Sequence, residues 1–220
     1  MRRREIDSGG RTRRPRPERS GTFVLYVEGA RDREILCHWA RRCDRDLARI
    51  IDQSAFILGG RQPARAVEDF RRRGGAGSGT RGLIVLDRDL PPDSAGAASR
   101  SEDLDESGLD LFVWRRRHIE SYLVVPAVLR RLLRVDSDDR RMDLLIEEFD
   151  QNSESHHAKR MLGARGALAT TFGRELRAGE IAKAMRHEDL DPEILTLFDR
   201  IRGASGRGGS GPEVVVRKRA

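Results

Sequence analysis

Over the first half of the chain, apolar residues come in short blocks separated by polar, glycine-rich breaks. Thr22–Val27 (TFVLYV) is almost wholly apolar, with β-branched and aromatic members, the pattern of a strand buried on both faces. Glu28-Gly29 ends it. Ala30–Asp52 then repeats apolar residues at helical spacing (Ile35, Leu36, Trp39, Cys43, Leu47, Ile50, Ile51), which predicts a helix. Ala55–Leu58 predicts a second strand, closed by Gly59-Gly60. Pro63–Arg73 predicts a helix with proline in its first turn and Gly74-Gly75 past its end. Gly82–Leu86 (GLIVL) is a third buried strand and runs into Asp87-Arg88-Asp89. Residues 90–108, rich in Pro, Ser, Gly and Asp, predict a surface loop, and Leu111–Trp114 predicts a fourth strand followed by Arg115-Arg116-Arg117. Beyond about residue 118 the spacing is helical throughout, over Ser121–Leu133, Met142–Phe149, His156–Thr171, Gly179–Met185 and Pro192–Ile201.

Strands alternating with helices at this spacing predict βαβ units and a parallel sheet. The expected architecture is a small α/β domain over residues 21–125, Rossmann-like in its winding, with a helical extension over 126–202. The chain of 220 residues has room for little more.

Charge sharpens this division. The arms 1–20 and 202–220 carry +5 and +4 of the net +7, which leaves −2 for residues 21–201. Basic character therefore belongs to Gly/Pro/Arg-rich arms, expected to be disordered over 1–20 and 203–220, and such arms add non-specific affinity for phosphate backbones. Lysine is nearly absent: Lys159, Lys183 and Lys218 are the only three. Cys37 and Cys43 have no second pair, which excludes a disulfide framework or a zinc cluster and predicts buried thiols. No run of about 18 apolar residues exists to span a membrane. The Arg-rich start lacks the apolar core of a secretory signal, so a cytoplasmic location is expected.

The acids mark the candidate chemistry. Glu28 follows the first strand, and Asp87 and Asp89 follow the third. All strand C-termini of a parallel sheet share one edge, where open α/β folds bind ligands. Carboxylates brought within a few ångström repel unless protonated or bridged by a cation, and all-oxygen ligation selects Mg²⁺, Mn²⁺ or Ca²⁺ over zinc. In extended backbone Asp87 and Asp89 point the same way and would face one ion. Each acid taken singly is equally a solvated strand exit. Two acidic exits bracketing βαβαβ argue for a site.

Val27-Glu28-Gly29 after an apolar strand, with Ile84-Val85-Leu86-Asp87-Arg88-Asp89 about sixty residues later, resembles the TOPRIM domain shared by topoisomerases, primases and several nucleases. Two features narrow the resemblance to the OLD-type (overcoming lysogenization defect) nucleases and their stand-alone relatives. Glu28 and Asp32 form an E-x-x-x-D arrangement that those nucleases use for metal, and Arg117-His118-Ile119-Glu120-Ser121-Tyr122-Leu123 is similar to the family's (H)-x-I-E-N-Y-L segment, with Ser121 in place of Asn. The resemblance covers roughly residues 22–125. It implies Glu28, Asp87, Asp89 and Glu120 as catalytic residues, and the same four with Asp32 as ligands of Mg²⁺ or Mn²⁺. Asp32 equally suits the first turn of a helix as a dipole partner, and Glu120 equally suits pairing with Arg117. Arg115, Arg116 and Arg117, beside that edge, are candidates to hold nucleic-acid phosphate or else form a solvated face. The family also uses a lysine to steady charge on phosphate. Its G-K-E-L context matches Gly173-Arg174-Glu175-Leu176 with arginine substituted, and Lys183 is the other candidate.

The resemblance implies a Mg²⁺-dependent nuclease acting on DNA or an RNA such as tRNA. Topoisomerase chemistry needs a nucleophilic tyrosine, whereas Tyr26 lies in a strand and Tyr122 in a predicted helix. No G-x-x-x-x-G-K-[ST] sequence is present, so nucleotide-driven control is expected from a separate chain. The stand-alone relatives are linked to an ABC-type ATPase partner in antiviral defence. The competing expectation is a non-catalytic TOPRIM-like binding or regulatory subunit, to which Ser121 and the missing lysine point.

Overall fold

The computed structural model describes residues 22–88, 106–151 and 157–206. The expectations for the 1–20 arm, for Asp89, for most of the 90–108 loop and for residues 207–220 lie outside these residues; of the expected 203–220 arm, Gly203 and Ala204 are helical.

Four strands, β1 (Phe23–Val27), β2 (Ala55–Ile57), β3 (Arg81–Leu86) and β4 (Leu109–Val113), form one parallel sheet in the order β2-β1-β3-β4. The alternation within the two central strands fills both faces. Leu25, Val27, Leu83 and Val85 enter one core with the helical remainder of the chain, while Val24, Tyr26, Ile84 and Leu86 enter a smaller one with Phe70 and Ala66. Burial on both sides is why these strands read as unbroken apolar runs.

Helices α1 (Ala30–Cys43) and α2 (Arg45–Ser54) replace the one helix expected over Ala30–Asp52. Asp44 is extended and its side chain accepts from the Asp46 N–H at 2.8 Å, capping a new helix. Helix α3 (Pro63–Arg72) starts on its proline as expected. The helix expected over Ser121–Leu133 instead comprises a 3₁₀ turn (Ile119–Leu123), an extended Val125 and α4 (Pro126–Leu133), because Pro126 takes the first helical position and the residue before a proline avoids α conformation. Beyond α5 (Arg140–Gln151), the expected helix over His156–Thr171 is two short ones, α6 (His157–Leu162) and α7 (Ala167–Phe172), with His156 outside the described residues. Gly166 sits at the break against the carbonyls of Arg160 and Met161, where a Cβ would fall within 2.2–2.5 Å of the oxygens. Helices α8 (Ala178–Ala184) and α9 (Pro192–Ala204) complete the fold.

The helical extension shares its core with the sheet. Trp39 of α1 donates to the Met185 sulfur at 3.0 Å, and Phe198 and Ile201 of α9 lie in the same cluster as Leu83 and Phe112. Cys37 is buried and Cys43 half-buried in this region, both as free thiols, and burial raises the pKa of each. No helix among the described residues is long and apolar enough to cross a membrane.

With β2 on one side of β1 and β3 on the other, the winding reverses direction between β1 and β3. In open α/β sheets the crevice beyond the strand C-termini at such a reversal is where ligands bind. Glu28 and Asp87 stand on its two sides.

Candidate active site

Glu28 and Asp87 meet, although 59 residues separate them: the Glu28 carboxylate Oε1 accepts from the Asp87 backbone N–H at 2.7 Å. The backbone of Glu28 is fixed as well. Its carbonyl accepts from the N–H groups of both Gly59 and Gly60 at 3.0 Å. Those two glycines have φ of +80° and +123°, conformations that side chains resist, which explains the pair at the exit of β2. Arg61 donates to the Asp87 carbonyl, so the exits of β1, β2 and β3 are tied together.

Asp87 is held from the other side by the segment after β4. Its Oδ1 accepts from the Ile119 N–H at 2.9 Å and its Oδ2 lies 3.1 Å from His118 Nδ1. His118 thus has a definite partner at the site. Asp32, in the first turn of α1, accepts from the Gly29 N–H at 2.8 Å, the reach-back expected of an acid at that position. Burial raises the pKa of its carboxyl to about 7 against the opposing Gly29 hydrogen bond, and the charges of Asp87, Glu120 and Glu28 add to the rise. Like charges act on a group in this way only at close range. Glu120, in the 3₁₀ turn, is 5% exposed and lies 3.5 Å from Arg31 Nη1.

Glu28, Asp32, Asp87 and Glu120 therefore share one rim, and their oxygens suit a hard divalent cation in donor chemistry. In spacing, no three His, Cys, Asp or Glu side chains among the described residues form a ready ligand sphere. Asp89, which the sequence pairs with Asp87, lies outside the described residues.

The arginines divide. Arg115 and Arg116 turn toward the start of α9. The Arg115 N–H donates to Glu193 Oε1 at 2.9 Å, its Nε lies 3.3 Å from Glu193 Oε2, and Asp191 is 3.7 Å from Arg115 and 3.9 Å from Arg116. Arg116 also donates to the Ser121 carbonyl at 2.9 Å and covers the Tyr122 ring. Arg117 is half-buried and lines a cleft with Arg88.

Neither lysine substitute is brought to the acids. Arg174 donates to the Leu132 carbonyl at 2.5 Å and to Glu180. Lys183 stands in the last turn of α8, where Arg42 donates to its carbonyl; burial lowers the pKa of nearby His38, and the charges of Arg41 and Lys183 add to the fall. His38 is six residues along α1 from Asp32, about 9 Å at helical rise. Among the described residues Arg31 reaches the rim at Glu120 and Arg61 at the Asp87 carbonyl, and the sequence pattern gave no reason to single out either. Tyr26 and Tyr122 donate to Asp69 and Glu193, and burial raises the pKa of both phenols, so neither is poised as a nucleophile.

Comparison with known proteins finds similar solved structures. The C-terminal region of the Burkholderia pseudomallei OLD protein matches with a TM-score of 0.53 at 16% identity, over 84% of this chain and 98% of that one. The corresponding region of the Xanthomonas campestris pv. campestris OLD protein gives 0.49 at 16% identity, over 84% and 97%. No protein-family model and no curated protein sequence matches. The chain has the fold of the C-terminal region of an OLD protein.

Proposed function

We propose that this protein is a metal-dependent nuclease that hydrolyses phosphodiester bonds of DNA or RNA with Mg²⁺ or Mn²⁺. One observation carries the reading: Glu28, from the exit of β1, is bonded to the exit of β3 at Asp87, and Asp32 beside them carries a raised pKa among acidic neighbours. A fold that concentrates carboxylates at its ligand-binding edge accumulates repulsion that a hard cation relieves. The likeness of fold to OLD C-terminal regions supports the same assignment, as does the E-x-x-x-D and I-E-S-Y-L resemblance.

Glu28, Asp32, Asp87 and Glu120, with Asp89 outside the described residues, would hold the cation. When bound, it supplies a Lewis acid that offsets phosphate charge and makes water a better nucleophile near neutral pH. The chain itself provides orientation. His118 and the Ile119 N–H hold Asp87 in one rotamer. The Asp87 N–H fixes Glu28, the group placed to accept a proton from an attacking water. Arg31, exposed beyond Glu120, is the cation available to phosphate where the family has lysine. Regulation by a separate ABC-type ATPase, with a role in antiviral defence, extends this reading from the same resemblance.

The second reading, a non-catalytic TOPRIM-like module, is favoured by the lack of a preformed three-ligand sphere among the described residues. Cutting assays separate the two. The purified protein is expected to cleave nucleic acid with Mg²⁺ or Mn²⁺ and to stop in EDTA. Glu28→Ala and Asp87→Ala are each expected to abolish cutting while the chain stays folded, with a stability loss of about 1–3 kcal/mol for the donors left without an acceptor. Cleavage that survives both substitutions refutes the catalytic assignment.

A further inference from the structure

Asp87 and Arg88 leave β3 consecutively, and in extended backbone consecutive side chains point opposite ways. Asp87 faces His118 and Ile119 on the acid rim. Arg88 faces a cleft of 240 Å³ lined also by Arg115, Arg116, Arg117 and Ser121, and closed by Phe149 and Asp150 of α5. Four guanidinium groups and one carboxylate line this cleft. Asp191 and Glu193 balance Arg115 and Arg116 from α9. Arg88 has no such counterpart: its Nε is buried and donates to no acceptor among the described residues. An unsatisfied buried guanidinium N–H is costly, and native proteins keep such groups where a ligand or ion completes them.

We propose that this arginine cleft seats a phosphate group of the nucleic-acid strand, with Arg88 and Arg117 as its ligands and Arg115 and Arg116 as its charged wall. The planar guanidinium fork matches a phosphate's oxygens in a way an ammonium does not. The volume, several times the roughly 30 Å³ that one water takes in the liquid, admits a phosphate with part of its hydration. The cleft opens one residue from Asp87, so a strand lying across the sheet edge would present one phosphate to the acids and another to the arginines. Placing the ligand on a nucleic-acid strand rests on the nuclease reading. The cleft's affinity for phosphate does not. The sequence offered Arg115–Arg117 as candidates for phosphate or as a solvated face. The structure adds Arg88, and commits Arg115 and Arg116 to α9 as support.

Binding is tested on the full chain in EDTA, where no cutting occurs, by fluorescence anisotropy of labelled single-stranded oligonucleotides at several salt concentrations. Arg88→Ala is expected to weaken binding about tenfold regardless of sequence and to lower the salt slope by about 0.7, one phosphate contact on a single strand. Arg88→Lys keeps the charge but loses the fork, and is expected to fall between. Inorganic phosphate should displace the oligonucleotide from the wild type more readily than from either variant. Loss of affinity on linear 5′-phosphorylated strands alone assigns a terminal phosphate, and equal loss on circular strands assigns an internal one. Unchanged affinity and slope in Arg88→Ala overturn the proposal, as does equal competition by phosphate in wild type and Arg88→Lys if Arg88→Ala does not fold. Glu28→Ala separates this from the catalytic reading. In EDTA it should bind at least as tightly as wild type, since it removes a negative charge beside the strand, so cutting without Arg88-dependent binding defeats only the cleft, and binding without cutting defeats only the nuclease.

Discussion

Asp69 and Glu193 are about as buried as Glu120, at 6%, 8% and 5% exposure, yet their surroundings differ. Asp69 accepts from the Tyr26 hydroxyl at 3.1 Å and from Arg73 Nε at 2.5 Å. Glu193 accepts from the Tyr122 hydroxyl and the Arg115 N–H, with Arg115 Nε beside it. Glu193 is pinned by donors from other elements and Asp69 by Tyr26 of β1 with Arg73 at the end of its own helix, and a buried charge so paired is structural. At the strand exits the neighbours of Asp32 are Glu28, Asp87 and Glu120, and burial together with those acids raises its pKa. Arg31 lies beside Glu120 and His118 beside Asp87. A buried acid among donors closes a fold, whereas a buried acid among acids leaves charge for a ligand to neutralise.

The largest stability effect should come from the donor-rich group. Glu193→Ala leaves the hydroxyl of Tyr122, 3% exposed, and the Arg115 backbone N–H without their shared acceptor, and each buried donor so stranded costs about 1–3 kcal/mol. Urea unfolding should show that loss, while metal-dependent cutting at a permissive temperature persists. A variant as stable as wild type would erase the distinction between the two groups.

The next effect is smaller and depends on pH. With a folded pKa of about 7 against an ordinary 3.8, Asp32 holds its proton in the folded state where the unfolded chain has lost it. Stability is therefore full below pH 4 as far as this group is concerned, falls as pH rises toward 7, and is lowest above it. The loss is a few kcal/mol at most, since each tenfold difference in proton affinity between the two states is worth about 1.4 kcal/mol. In EDTA, Asp32→Asn should remove most of this dependence and exceed wild-type stability at pH 8. Parallel stability profiles for the two proteins between pH 5 and 8 would mean that Asp32 is not strained by its neighbours.

The sequence made one half of this comparison legible and hid the other. Apolar runs marked all four strands; those of β1 and β3 are unbroken because a strand buried on both faces needs no polar alternation, whereas β4 starts two residues before the expected run with Asp110 inside it, and parallel winding then predicted that Glu28 and Asp87 would converge. The three misdrawn helices failed for local reasons. Apolar spacing continues across Asp44, Val125 and Gly163–Gly166, and only capping chemistry, a proline and a close backbone approach interrupt them. Glu193 and Asp191 gave no signal, since their partners at Arg115 and Tyr122 lie some seventy residues or more away. Arg88 was hidden differently. Between two acids it reads as an ordinary strand exit, and only the cleft formed with α5 gives it a role.

The central claim, that the acids at the strand exits await a hard cation, is tested most directly by thermal unfolding at pH 8 with and without saturating Mn²⁺. Ligand at about 100 times its Kd adds roughly 2.7 kcal/mol. Wild type and Glu193→Ala should therefore gain the same several degrees on adding the ion, and Glu28→Gln and Asp87→Asn should gain none. An unmoved wild-type midpoint, or an equal gain in Asp87→Asn, would contradict the account.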